Sequence, residues 1–201
     1  MNLKLKNMLT EERYQHSCMV SKVAEEIARY YHVSTEKAKV LGLIHDCAKD
    51  LTHHDLQDLV KKYHIRLTEI EKCIPGIWHA YVGAYLARDI FEIDDPEMLQ
   101  AIKYHSTGSD SLNLLGKIIY IADKIEPGRE INSNGKIREL VWQDIDQAML
   151  ELLNSELKYL VSKNEIIHPD TLQCRNEILY KNKFRRNDEK SRKTESFKKE
   201  E

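Results

Sequence analysis

The chain has 201 residues, which is a typical length for one domain, and its 41% of hydrophobic residues can build a core. The formal net charge of −2 provides no general attraction to nucleic acid or to an anionic membrane. The 7 glycines and 4 prolines are too few for the turns of an all-β sandwich or barrel, so the composition favours an all-α fold.

The sequence also contains no segment that would direct it to a membrane or an oxidising compartment. Its longest apolar stretch, 114–122, includes Lys117 and falls far short of the roughly 20 residues that a membrane span needs. Residues 1–6 include no apolar signal core. The 4 cysteines form no Cys-x-x-Cys pair, so neither a zinc ribbon nor a redox motif is indicated. We therefore expect a cytoplasmic protein.

Helical patterns recur along the chain, and most begin at a residue that is suited to capping a helix. The apolar positions that follow have the three-four spacing of an amphipathic helix. The predicted helices begin at Thr10, at Ser34 or Thr35, at Thr52, after Pro75-Gly76, at Asp94-Asp95-Pro96, near Leu112, near Ile137 and at His168-Pro169-Asp170. The helix over 137–161 is expected to be interrupted near Gln143.

The composition divides the chain into three regions. Residues 1–9 are predicted to be an N-terminal extension, 10–182 the helical domain and 183–201 a charged tail. The tail contains 8 Lys or Arg and 5 Asp or Glu. Because such a segment cannot bury enough apolar surface to offset its ordering entropy, we expect it to be disordered.

The dipeptide His-Asp occurs twice, in different surroundings. His54-Asp55 follows Thr52 in the exposed first turn of a predicted helix, where an acid complements the helix dipole, so its role is predicted to be structural. His45-Asp46 follows the apolar run 40–44, where burying an imidazole and a carboxylate is costly unless both have partners. A bound cation is one such partner, and a buried hydrogen-bonded pair is the alternative.

Other histidines and acids extend this candidate site. The candidate metal ligands are His16, His45, Asp46, His79, His105 and Asp123. Imidazole and carboxylate together favour iron, manganese, cobalt or zinc over calcium. Six ligands exceed what one tetrahedral ion uses, which suggests two metal ions that share a carboxylate bridge. Alternatively, the histidines are hydrogen-bonded independently in the core.

These residues follow the order of a known family. The series His16…His45-Asp46…Asp123 resembles the H…HD…D pattern of HD-domain metal-dependent phosphohydrolases. His79 and His105 resemble the two extra ligands of the dinuclear branch. More narrowly, the stretches 13–17, 45–49, 102–108, 122–129 and 168–176 resemble the YqeK-type family, and this similarity extends over about residues 10–181.

The resemblance implies an HD-domain helical bundle with a dinuclear metal site between core helices. It also implies a symmetrical bis(5'-nucleosyl)-tetraphosphatase that binds two transition-metal ions, with iron expected and manganese or cobalt as alternatives. Such an enzyme splits diadenosine tetraphosphate into two ADP, and a metal-activated hydroxide attacks an inner phosphorus. Region 10–182 would then be an HD-type phosphohydrolase domain.

The chemistry of that reaction suggests roles for individual side chains, and the resemblance adds residues 168–173 as the lining of the nucleotide pocket. Asp46 would bridge the metals, and Lys49 and Arg129 would be catalytic cations that stabilise the phosphoryl oxygens. Arg13 would hold the leaving diphosphate. The nucleotide-binding residues would be Arg13, Asp46, Lys49, Arg129, His168, Pro169, Asp170, Thr171, Leu172 and Gln173.

Alternatives to these roles come from the residues themselves. Lys49 and Arg129 could be surface cations, Arg13 could pair with an acid on its own helix, and 168–173 could be only a helix start. The chain could also be an HD-type nucleotidase or phosphodiesterase for another nucleotide, although the Gly-Tyr-Pro signature of the cyclic-dinucleotide branch does not follow 45–46. A non-catalytic, metal-bound nucleotide sensor is a reading of a different class. The expected partners are a dinucleoside polyphosphate and ADP, with no nucleic acid or membrane, and a homodimer is left open.

Overall fold

The computed structural model of the chain describes residues 2–129 and 134–197, and it describes side chains through residue 184 except that of residue 134. Within these ranges the chain forms helices and no strand, so the all-α prediction is confirmed. No described helix has both the length and the apolar composition of a membrane span.

The described chain contains eleven α-helices and one short 3-10 turn. In order they are α1 (Asn2–Lys6), α2 (Glu11–Tyr30), α3 (Thr35–Ile44), α4 (His53–Lys62), α5 (Glu69–Lys72), the 3-10 turn (Pro75–Ile77), α6 (Trp78–Phe91), α7 (Pro96–Tyr104), α8 (Leu114–Ile125), α9 (Asn134–Leu140), α10 (Ile145–Lys163) and α11 (Pro169–Phe197).

Capping side chains begin the helices at the predicted positions. Thr10, Ser34 and Thr52 each accept a backbone N–H from the first turn of α2, α3 and α4. Asp95 caps α7 in the same way, and Pro96 occupies its first position, where no N–H is needed. These local signals therefore predict the helix starts correctly.

The predicted interruption near Gln143 is also confirmed. The chain leaves the helical conformation after Leu140 and resumes it at Ile145. Asp144 stops the two helices from merging, because its side chain accepts two N–H groups of α10 at 2.9 and 3.1 Å.

The N-terminal extension contains a helix that the sequence pattern does not predict. Leu5 in α1 is fully buried, and Leu9 just after it is buried as well. Lys4 Nζ donates a hydrogen bond to the carbonyl oxygen of Ile90 at 3.1 Å. The extension is therefore attached to the domain through buried apolar contacts.

Helix α11 differs from the prediction at its C-terminal end. It continues through Phe197, although a disordered tail is predicted from residue 183. The backbone of 183–197 is helical because Lys, Arg and Glu are good helix formers, and a helix that has begun can propagate without a core. The side chains beyond residue 184 and residues 198–201 lie outside the described part, and the domain boundary at 182 stays a prediction.

The core that positions the site lies where α2, α3 and α8 meet. Gly42 of α3 faces α2 so closely that a Cβ at this position would lie 2.5 Å from the Cα of Ser21. The middle of α8, from Ile118 to Ala122, has no exposed surface. Helix α7 packs between α6 and α8. This arrangement directs side chains from α2, α3, α6, α7 and α8 towards one interior point.

Candidate metal centre

All six candidate metal ligands meet at this interior point. His16 comes from α2, His45 and Asp46 from the turn that ends α3, His79 from α6, His105 from the turn that ends α7, and Asp123 from α8. Every one of these residues is buried. We call the six residues the cluster. The second His-Asp dipeptide stays outside it, since the His54 side chain is 82% exposed and faces Asp58 of its own helix.

One end of the cluster is formed by His16, His45 and Asp123. Each offers one ligand atom, and these three atoms lie within 4.8 Å of one another. Asp123 Oδ1 lies 3.0 Å from His16 Nε2 and 3.6 Å from His45 Nε2. We call this the His16 end.

The other end is formed around Asp46. His45, Asp46 and His105 make a second triad of ligand atoms within 4.8 Å of one another. Asp46 Oδ1 lies 3.2 Å from His105 Nε2 and 3.3 Å from His79 Nε2. Because His45 belongs to both triads, the cluster is continuous. We call this the His79 end.

Backbone carbonyls orient three of the four imidazoles. The Nδ1 atoms of His45, His79 and His105 each donate to the carbonyl oxygen three residues earlier, at 2.8, 2.7 and 2.8 Å. A carbonyl can only accept, so Nδ1 must carry the proton, and Nε2 of the neutral ring presents its lone pair to the cluster. Metal-binding histidines are commonly oriented in this way.

The ligand atoms fit a metal centre because several buried hydrogen-bond acceptors face one another. His45 Nε2 is buried and has no hydrogen-bond partner among the described residues, although buried polar atoms nearly always have one. His79 Nε2 and His105 Nε2 are only 3.2 Å apart, and both rings already donate from Nδ1. Asp46 Oδ1 faces the same two nitrogens. A cation would satisfy all of these atoms at once.

The fourth imidazole is oriented by a side chain that carries no predicted role. His16 Nδ1 lies 3.1 Å from Oε1 of Glu126, and Glu126 is only 2% exposed. The other carboxylate oxygen accepts the N–H of Gly128 at 2.5 Å. A carboxylate behind a ligating histidine fixes its orientation and raises its basicity. The available signal was its position three residues after Asp123, at the end of an apolar helix.

Two predicted cations contact the Asp46 side of the cluster. Arg13 Nη1 donates to Asp46 Oδ2 at 3.0 Å, so Arg13 pairs with the cluster and not with an acid of its own helix. Lys49 Nζ lies 3.3 Å from His79 Nε2. The structure thus brings both residues into contact with the cluster, and their roles in binding phosphate stay predictions.

Two further cations contact Asp123. Arg129 Nη2 donates to Asp123 Oδ1 at 3.1 Å, and Arg129 Nε donates to the Asp123 carbonyl oxygen at 3.2 Å. Lys124 Nζ donates to Asp123 Oδ2 at 2.7 Å. Arg129 is a predicted site residue, whereas Lys124 is not, because a lysine in the last turn of a helix is usual.

Neighbouring charges and hydrogen bonds keep the buried carboxylates ionised. Burial alone would raise the pKa of Asp123, but the charge of Lys124 and the neighbouring imidazoles hold this pKa well below its ordinary value. Burial would also raise the pKa of Asp46, yet His45 and His105 hold it well below its ordinary value. The two carboxylates in turn raise the pKa of His45 despite its burial.

The His79 end contains two histidines that remain neutral. Burial lowers the pKa of His79 to about 4, although Asp46 acts in the opposite direction. Burial also lowers the pKa of His105 and that of Lys49. Neutral imidazole is the form that binds a metal, so both histidines are in the required state at neutral pH.

The predicted nucleotide-binding stretch 168–173 adjoins the cluster without touching it. His168 is buried, and its Nε2 lies 3.4 Å from the hydroxyl of Tyr81 and 3.5 Å from Glu71 Oε1. The Thr171 hydroxyl donates to the carbonyl oxygen of Thr107 at 2.8 Å. The start of α11 is therefore fixed to the loop that follows His105, at the His79 end of the cluster.

The other residues of this stretch have simpler surroundings. Pro169 is the first residue of α11, and the N–H of Asp170 donates to His168 Nδ1 at 3.2 Å. Leu172 and Gln173 are exposed. None of the six residues forms a described hydrogen bond with the cluster, and their nucleotide-binding role stays a prediction.

Comparison with known proteins agrees with this geometry. The HD domain pattern matches residues 13–128, which is more than half of the chain. The chain therefore belongs to the HD-domain family of metal-dependent phosphohydrolases. Within that family it groups with the symmetrical bis(5'-nucleosyl)-tetraphosphatases, so the resemblance seen in the motifs is confirmed.

Two relatives and one solved structure illustrate the similarity. Proteins named "Bis(5'-nucleosyl)-tetraphosphatase, symmetrical" from Halalkalibacterium halodurans and Bacillus subtilis are 35% and 33% identical to this chain. The alignments cover 89% and 83% of this chain and 95% and 89% of those proteins. A crystal structure of a protein described as a "predicted HD superfamily hydrolase involved in NAD metabolism", from Clostridium acetobutylicum, matches with a TM-score of 0.87 and 35% identity. The match covers 90% of this chain and 95% of that one.

Proposed function

We propose that this chain hydrolyses dinucleoside tetraphosphates symmetrically and releases two ADP from diadenosine tetraphosphate. The observation that carries the proposal is the buried cluster, where acceptor atoms from five helices converge beside two arginines. It is supported by identities of 31–35% to proteins named for this reaction. We also propose a cytoplasmic location, which agrees with the free state of its cysteines.

The cluster residues would hold two transition-metal ions. His16, His45 and Asp123 form one ligand group, and His45, Asp46 and His105 form the other, with His79 Nε2 lying 3.3 Å from Asp46 Oδ1. We propose iron as the metal, and the same ligands accept manganese or cobalt. Such ions, when bound, polarise phosphoryl oxygens and lower the pKa of bound water.

Asp46 is the residue that we propose to be shared between the two ligand groups. Its Oδ1 faces His79 and His105, whereas its Oδ2 faces Arg13 and His45. A carboxylate with one oxygen on each side can contact both groups without moving. Asp46 is therefore expected to be essential for both.

Three cations are proposed to bind the phosphate chain. The side chains of Arg13 and Arg129 are 27% and 40% exposed, so a substrate can reach them although both are paired with cluster carboxylates. Lys49 lies deeper, beside His79. Fixed cations of this kind stabilise the charge that develops on phosphoryl oxygens, and arginine can bind such oxygens in bidentate fashion.

The position of cleavage follows from where one nucleoside is held. We propose that 168–173 binds one nucleoside, which places an inner phosphate at the cluster. Release of ATP and AMP would require the phosphate chain to move by one unit past fixed side chains. A displacement of several ångströms normally costs orders of magnitude in rate, so two ADP are expected.

Product analysis tests the proposal directly. Anaerobically purified, iron-loaded protein is incubated with diadenosine tetraphosphate, and the nucleotides are separated by chromatography. ADP is the expected product, whereas ATP and AMP as main products would overturn the assignment.

Arg129→Ala should lower the rate by roughly 10²–10³ without changing the products, as the loss of a transition-state charge partner does.

A pair of variants tests the choice of His-Asp dipeptide. Asp46→Ala should abolish turnover and lower the content of both metals. His54→Ala, at a fully separate and 82% exposed position, should keep activity within a few-fold of the wild type. Equal losses in the two variants would contradict the assignment of His45-Asp46 to the centre.

A further inference from the structure

A cavity of about 370 Å³ opens at the His16 end of the cluster. It lies between the first turns of α2 and the residues that follow α8. Its described lining includes Glu12, Arg13, Met19, Asp50, Gly128 and Arg129. The cavity therefore joins the two partly exposed arginines to a volume that is large enough for part of a nucleotide.

The lining of this cavity includes none of residues 168–173 and none of their described partners Glu71, Tyr81 and Thr107. Those residues contact Tyr81, which shares α6 with His79, and they bond to Thr107 in the loop after His105. They therefore adjoin the His79 end. A symmetrical substrate has a nucleoside diphosphate on each side of the bond that breaks, and 168–173 accounts for only one of them.

We propose that the cavity holds the second nucleoside diphosphate of the substrate. Arg13 and Arg129 bind its phosphates, and Glu12 and Met19 contact its nucleoside. The inference rests on the proposed function and adds the binding site for the other half of the substrate.

Glu12 is the carboxylate that is available to a ribose. Asp50 already accepts hydrogen bonds from the backbone N–H and the hydroxyl of Thr10, at 2.7 and 2.9 Å. Glu126 is engaged by His16 and Gly128. Among the described contacts, Glu12 forms no hydrogen bond or ion pair, and it lines the cavity. Carboxylates are groups that proteins use to accept ribose hydroxyls.

Met19 and Gly128 provide an apolar surface next to this carboxylate. A Cβ on residue 128 would lie 3.0 Å from Met19 Cε and 3.0 Å from a carboxylate oxygen of Glu126. Glycine at this position therefore keeps the Met19 side chain accessible from the cavity. A flexible thioether adapts its shape to different partners, so this surface is suited to a nucleoside of either base class.

Two substrates separate this site from the rest of the machinery. Diadenosine tetraphosphate and adenosine 5'-tetraphosphate have the same phosphate chain, but only the first has a second nucleoside. The measured quantity is the ratio of their kcat/KM values. Glu12→Ala should lower this ratio about tenfold, the usual effect of losing one hydrogen bond to a charged group.

Glu11→Ala is the matched control. Glu11 is the neighbouring acid in the same first turn of α2, and its carboxylate accepts from Gln15 of its own helix at 2.6 Å. The ratio should stay at the wild-type value in this variant. Met19→Trp places a larger side chain in the cavity and should lower the ratio as well. This second variant keeps the test valid if Glu12→Ala folds poorly.

The outcomes distinguish the two proposals. An unchanged ratio in Glu12→Ala and Met19→Trp would overturn the second nucleoside site, even in a protein that releases two ADP. A ratio that falls equally in Glu11→Ala would overturn it too, since the effect would then be one of surface charge. Failure of the wild type to hydrolyse the dinucleotide would overturn the proposed function itself, and the site with it.

Discussion

Replacing Gly42 by alanine tests whether the close approach of α2 and α3 determines the geometry of the metal centre. The new Cβ would lie 2.5 Å from Ser21 Cα, 2.7 Å from Ser21 N and 3.0 Å from the carbonyl carbon of Val20. These are backbone atoms, which cannot rotate away as a side chain can. Since ordinary contact begins near 3.4 Å, the two helices must separate by about 1 Å.

The expected cost has two parts. Overpacking of this kind destabilises a protein by about 1–3 kcal/mol, and the better helix propensity of alanine offsets at most about 1 kcal/mol of it. A net loss of about 2 kcal/mol should lower the Tm by roughly 4–8 °C in a chain of this length. Because α2 contains His16 and α3 ends at His45, a 1 Å separation should also reduce kcat/KM by about 10².

Gly76 provides the matched control. Its carbonyl oxygen accepts from His79 Nδ1 at 2.7 Å, just as that of Gly42 accepts from His45 at 2.8 Å. A Cβ on Gly76 would meet nothing within 4 Å. Gly76→Ala should therefore retain wild-type Tm, metal content and turnover.

Differential scanning calorimetry, metal analysis and steady-state kinetics on the two variants decide the matter. Wild-type behaviour of Gly42→Ala in all three measurements would refute the reasoning, because the helices would then tolerate the extra methyl group without moving. Equal losses in Gly76→Ala would assign the effect to the loss of glycine itself and not to the contact with α2.

The remaining predictions concern metal binding and the C-terminal segment. Glu126→Gln should weaken metal binding by roughly 10–100-fold in a titration of the metal-free protein, since an amide cannot replace both functions of the carboxylate. Glu71→Gln, at a carboxylate beside His168, should leave the metal affinity unchanged. An equal loss of affinity in the two variants would contradict the role of Glu126. Removal of metal by a chelator should lower the Tm, and added metal should restore it, because ligands stabilise the native state that binds them. Deletion of 185–201 should change the Tm by less than about 2 °C, since charged residues bury little apolar area, and a large fall would show that the segment docks.

Local signals explain why most of the fold could be predicted from the sequence. A cap such as Thr10 or Asp95 acts within its own first turn, so its effect is visible without knowledge of packing. Helices α1 and α5 could not be predicted, because five and four residues are too short to show an apolar period. The burial of Leu5 is decided by the distant elements that cover it.

The site shows the same division between local and distant information. His45-Asp46 and Asp123 could be selected because each interrupts an apolar run, where a polar group needs a partner. Glu126 and Lys124 could not, because an acid and a lysine near a helix end are common on protein surfaces. Only the packing of α2 against α8 brings Glu126 to His16. Lys124 contacts the residue before it in the chain, and the sequence does not show that this contact lies at a buried site.

The carbonyl anchors of three histidines have a consequence for how this centre responds to mutation. The acceptors at residues 42, 76 and 102 are main-chain atoms, which every amino acid possesses, so no substitution can delete them. The backbone of the fold therefore sets the tautomers of these three rings. His16 alone depends on a replaceable side chain, that of Glu126. A single codon change can therefore retune one end of the centre while the other keeps its ligand orientation, which makes the His16 end the natural place for evolution or engineering to adjust metal affinity.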